Sequence, residues 1–89
     1  MNTFEILGID FDGFMKHIES LMDKTWMTLD NYGSEGARKG IRNFTWEFDH
    51  IIPLSSENSK EELIKLSHYT NIQPLCSYVN QHVKKDNIL

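Results

Sequence analysis

The chain has one cysteine, Cys76, among its 89 residues. A single thiol rules out an internal disulfide and any structural zinc site built on cysteines. Chains this short often need such a staple, so either the apolar core suffices or a bound metal, substrate or second subunit contributes. Long hydrophobic runs are also missing. No stretch approaches the roughly 20 apolar residues of a membrane span, and the start Met1-Asn2-Thr3-Phe4-Glu5 has no basic segment leading into an apolar one. The expected setting is intracellular and cytoplasmic, with no membrane partner. Net positive charge is lacking too: 9 Lys and Arg face 13 Asp and Glu, for a formal charge of −4. A generic nucleic-acid coat protein would be basic. Repeats, low-complexity tracts and domain linkers are absent, as is any helix-turn-helix or zinc module for reading base sequence. With 39% hydrophobic and 25% charged residues, the chain reads as one ordinary globular domain over residues 1–89.

Hydrophobic spacing outlines its elements. Phe11, Phe14, Met15, Ile18, Leu21 and Met22 recur at helical spacing, predicting an amphipathic helix over residues 12–23 with Asp10 as its N-cap. Residues 33–43 hold three glycines and read as a mobile loop. Phe44, Trp46 and Phe48 alternate with polar residues, predicting a strand over residues 44–48 with those rings inward; Pro53 limits its continuation. Ser59-Lys60-Glu61-Glu62 has the form of a capping box and predicts a short helix over residues 60–67. Residues 71–76 read as a second strand. Residues 77–85 read as a final helix, with Val79 and Val83 on one face and Asn80 and Lys84 on a neighbouring one. The fold class expected is α+β: an N-terminal helical arm and basic loop over residues 1–43, then a two-strand and helix core over residues 44–89.

Chemistry concentrates in Asp49-His50-Ile51-Ile52-Pro53-Leu54-Ser55, together with Asn71 and Asn80 downstream. An Asp-His pair at the end of a hydrophobic strand offers a carboxylate to a metal beside an imidazole able to take a proton. An Asn on the returning strand can orient that imidazole, and an Asn in the following helix can give the metal a second oxygen. Phosphodiester hydrolysis needs such parts: a deprotonated water, relief of charge at phosphorus, and stabilisation of the departing 3′ oxygen. An unperturbed His titrates at roughly 6.5, close to a useful base. Successive strand residues point to opposite faces, so Asp49 and His50 can address one phosphate only if the strand ends or bulges at His50.

The same residues carry a family resemblance. Trp46 through Ser55, and His68-Tyr69-Thr70-Asn71-Ile72-Gln73-Pro74-Leu75, resemble the small HNH (His-Me finger) endonucleases common in phages and related mobile elements. Leu7-Gly8-Ile9 through His17-Ile18-Glu19-Ser20, and on to Asn31-Tyr32-Gly33, resemble the helix that precedes the motif in those proteins, so the likeness covers nearly the whole chain. It implies a ββα-metal core in which His50 is the general base, Asn71 holds His50 in position, and Asp49 and Asn80 bind one divalent metal. A carboxylate and an amide are hard oxygen donors suited to Mg²⁺ or Mn²⁺, and no structural zinc is expected. Lys84 falls where some relatives place another ligand; a protonated lysine would instead contact phosphate. DNA is the implied partner, in a bacterial host cell if the gene is phage-borne, with a homodimer or an accessory specificity protein as further partners; a double-strand break requires a dimer or two successive events.

Ordinary explanations stand beside these. Asn71 also suits a turn, whereas a mid-helix Asn80 is mildly unfavourable unless it has another task. Trp26 and Trp46 read as core, and His17, His68 and His82 fall outside the motif. Arg38, Lys39 and Arg42, opposed locally only by Glu35, are either solvated or the track for the DNA backbone. Two other readings fit the chain: a catalytically silent DNA-binding or interaction domain that kept the fold, and a partial unit of a larger nuclease assembly.

Overall fold

In the computed structural model, residues 2–54, 59–85, 87 and 88 are described. Ser55, last residue of the central motif, lies outside them. The architecture is a small α+β domain around two antiparallel strands, β1 (Trp46–His50) and β2 (Ile72–Cys76). Their register sets Trp46 opposite Cys76, Asp49 opposite Gln73 and His50 opposite Ile72.

Among the described residues, three α-helices precede the first strand. Helix α1 (Thr3–Leu7) is capped by Asn2, whose side chain accepts from Glu5 N, and ends at Gly8 with φ 75°. Its signal, Asn-x-x-Glu followed by Gly, is short enough that hydrophobic periodicity misses it. Helix α2 (Phe11–Leu21) is capped by Asp10, whose carboxylate accepts from Gly13 N at 2.8 Å. It buries Phe14 and Ile18 against the sheet, where they join Met27, Trp46 and Ile72 in the core. His17 ties the helix down through a 2.9 Å hydrogen bond between Nε2 and the Ile72 carbonyl. Trp46 is 1% exposed and donates its indole N–H to Thr28 O.

Residues 33–43 differ from the expected mobile loop. They contain helix α3 (Glu35–Lys39), with an acid in its first turn, Arg38 and Lys39 in its last, and a left-handed Gly40 closing it. Gly36 N donates to Thr45 Oγ1, which also bonds Ser77 Oγ at 2.6 Å. A Cβ on Gly36 would meet both hydroxyls and Ile41 O at about 3 Å. Glycine here serves a close approach of helix to strand rather than flexibility.

The first strand begins two residues later than expected. Phe44 lies outside it and Phe48, like Phe44, is 38% exposed, because one short helix cannot cover the whole aromatic face. Phe48 still packs edge-on against Phe14, with centroids 5.3 Å apart. Helix α4 (Lys60–Leu66) starts at Ser59, whose hydroxyl accepts from Glu62 N. After β2 the chain runs into a final helix that is wound as a π-helix over Val79–Lys84, closed by Lys85 N bonding Asn80 O. The wider winding replaces the expected α-helix and leaves Val83 46% exposed. Among the described residues no helix is long and apolar enough to cross a membrane.

Candidate active site

Strand alternation gives β1 two different faces. Trp46 and Phe48 look toward α2, with rings 5.7 Å apart. Glu47 and Asp49 look toward the terminal π-helix, where they meet Asn80 and Lys84. His50 ends the strand, the chain bends at Ile51 and Ile52, and His50 lines the same cleft as Asp49. That open cleft, about 260 Å³, is bounded by Phe48, Asp49, His50, Pro53, Leu54, Asn80, Lys84 and Lys85. The strand end and the π-helix thus bring Asp49, His50, Asn80 and Lys84 together.

Asp49 is 5% exposed. Lys84 Nζ lies 3.0 Å from its Oδ1, and Gln73 Nε2 donates to Oδ2 at 2.9 Å from the cross-strand position. Lys84 is itself 1% exposed and donates a second bond, 2.7 Å, to the backbone carbonyl of His50. Its ammonium is therefore committed inside the site, fixing both the carboxylate and the strand end. Lys84 also lines the cleft in which the sequence expects it to contact phosphate.

His50 is half-buried, and its pKa is pushed below the ordinary 6.5. Burial is the main cause, because it disfavours the imidazolium. The Lys84 charge adds to the depression, while Asp49 opposes it. Neutral imidazole, the form that accepts a proton, is thereby favoured near neutral pH.

Asn71 sits just beyond this group. Its side chain accepts from Ile52 N at 2.9 Å and donates to Ile52 O and Leu66 O, while its backbone carbonyl takes Ile51 N. All of these bonds grip the segment following His50 or anchor it to α4, so Asn71 fixes the direction in which the chain leaves the strand. Any hold on the imidazole is exerted through that backbone.

The donor set suits a hard divalent cation. Asp49 uses two of about four lone-pair sites, and Asn80 Oδ1 has no hydrogen-bond partner among the described residues, its Nδ2 being bound to Glu47. Asp49 and Asn80 would supply two protein oxygens. Among the described residues no three His, Cys, Asp or Glu side chains form a cage, so water and phosphate would complete the coordination, as is usual for Mg²⁺.

Arg38, Lys39 and Arg42 lie away from the cleft lining. Lys39 pairs with Glu35 at 2.9 Å and sits over the Phe44 ring. Arg38 bonds Ser34, and Arg42 stacks 4.7 Å from the Tyr78 ring. Helix α3 packs beside the terminal π-helix, joined by a 2.8 Å bond between His82 Nε2 and Ala37 O. Three residues join the site that the motif does not name: Glu47, Gln73 and Lys85. Glu47 was legible as the same-face neighbour of Asp49 two positions away. Gln73 needed the strand register, and Lys85 the turn at the end of the π-helix. No family model, curated protein or solved structure matches the chain.

Proposed function

We propose that this chain is a metal-dependent DNA endonuclease of the HNH (His-Me finger) type, its two strands and terminal helix forming a ββα-metal core. The observation that carries the reading is the convergence of Asp49, His50 and Asn80 on one open cleft, with His50 biased toward its neutral form. His50 takes a proton from the attacking water. Lys84 and Gln73 hold the Asp49 carboxylate still, and Asn71 fixes the segment that follows His50. Asp49 and Asn80 would hold Mg²⁺ or Mn²⁺, which when bound would relieve charge on the phosphate and stabilise the departing 3′ oxygen. Lys85, exposed on the rim, is placed to meet an adjacent phosphate.

Purified protein incubated with plasmid and Mn²⁺ should cut DNA, and a chelator should stop it. His50→Ala should abolish cleavage yet keep Mn²⁺ binding by calorimetry, because the imidazole serves water and not the ion. Asp49→Ala should lose both. Equal loss of Mn²⁺ binding in the two variants would make His50 a ligand and overturn the assignment. One observation favours the rival reading, a silent DNA-binding or interaction domain: Lys84 already neutralises the Asp49 carboxylate. On that reading DNA is bound but never cut, with any divalent ion.

A further inference from the structure

Asn80 can serve a cation only through Oδ1, yet an amide side chain can be turned over at little cost, presenting Nδ2 instead. Something must decide which end faces the cleft. Glu47, which no motif assigns, lies on the same face of β1 as Asp49 and two positions before it. Its Oε1 accepts from Asn80 Nδ2 at 2.6 Å. An ionised carboxylate has only acceptors, so the amide can meet it only through N–H. Turning Asn80 over would set Oδ1 against Oε1, two acceptors in contact. The bond is short and charge-assisted, the stronger class of hydrogen bond. Glu47 is itself held, since Gln81 Nε2 donates to both of its oxygens at 3.1 Å. The chain Gln81–Glu47–Asn80 thus runs from the outer side of the π-helix, through the strand, to the cleft.

We infer that Glu47 is a positioning residue: it fixes the Asn80 amide so that Oδ1 faces the cleft as a ready cation ligand. The inference rests on the nuclease reading and adds to it the residue that orients the second ligand. Asn80 and Gln81 are consecutive residues of the π-helix and both donate to the one carboxylate, so Glu47 reads the register of the helix as well as the amide.

A polarity swap tests this. Glu47→Gln keeps shape but can donate as well as accept, so Asn80 loses its unique orientation; Mn²⁺ affinity by calorimetry should fall about 10-fold or more, within the 10–100-fold range for removing an outer partner. In metal-free protein, the Asn80 side-chain NH₂ signals should move from hydrogen-bonded toward ordinary amide positions. Adding Asn80→Asp to Glu47→Gln should restore Mn²⁺ affinity to the wild-type level or above. The amide introduced at position 47 can then donate to one oxygen of the carboxylate introduced at position 80, while the other oxygen faces the cleft. Wild-type affinity in Glu47→Gln would overturn the inference alone. A double variant as weak as Glu47→Gln would also overturn it, because a merely structural tie is not rescued by exchanging polarity. Absence of Mn²⁺ binding in the wild type would instead sink the nuclease reading, and the inference with it.

Discussion

His50 sits half-buried between opposite charges, and the balance of those effects makes its behaviour with pH testable. Burial and Lys84 lower its pKa and Asp49 raises it, with a net shift downward from 6.5. In metal-free protein, the His50 ring signals should therefore titrate below 6.5 by NMR, and the acid limb of cleavage should follow the same group. The unfolded chain takes up this proton at a higher pH than the native one, so the group's contribution to stability is complete above 6.5. It is lost as pH falls toward the native pKa. A midpoint at or above 6.5 would remove the pre-set base from the mechanism. Lys84 belongs to the same balance. A buried ammonium is costly unless paired, and here it is matched by Asp49 and the His50 carbonyl.

On the proposed reading, helix α3 and the residues after it would supply the basic track for DNA. Gly36 and Ala37 are buried against Thr45, Ser77 and His82, whereas Arg38, Lys39 and Arg42 stay exposed. Lys39 is paired with Glu35, whose own carboxyl is held below its usual pKa chiefly by its hydrogen bond to Lys39. Replacing Arg38, Lys39 and Arg42 together with Ser should weaken binding to every duplex alike. For every phosphate that is no longer neutralised, the slope of log affinity against log salt should flatten by about 0.9. Thermal unfolding should change little, since all three side chains are exposed. An unchanged salt slope would move the DNA track to Lys85 and the rim of the cleft. The expectation of a mobile loop over these residues came from counting glycines. It failed because Gly36 is there for close packing and Gly40 for a left-handed helix end.

Among the described residues the core is thin: Phe14, Ile18, Met27, Trp46 and Ile72 form one buried cluster, flanked by partly buried neighbours. Small domains of this kind are marginal, so a ligand that binds only the native state should show plainly in thermal unfolding. Mn²⁺ at 100 times its Kd would add about 2.7 kcal/mol. At roughly 4–8 °C per kcal/mol for a domain of this size, Tm should rise on the order of 10–20 °C and fall back on chelation. A flat response in the wild type, with Asp49→Ala behaving identically, would show that no ion is held.

Local chemistry in the chain determined the capped starts of α2 and α4, the two strands and their order. Asp10 and Ser59 cap through their own side chains, and alternation in β1 depends only on nearest neighbours. It also determined which residues were chemically equipped for hydrolysis: a carboxylate, an imidazole and two amides in a fixed order. Tertiary structure decided how those residues face each other. Asp49 became a buried ion with Lys84 because two elements 35 residues apart in sequence meet there. Asn71 was placed on backbone, the last helix was wound as a π-helix, and Asn80 and Gln81 both reach one carboxylate. Propensity and spacing report on a few neighbouring residues; long-range pairing and helix winding are set by the packing of the whole chain, and only there does Glu47 enter the site.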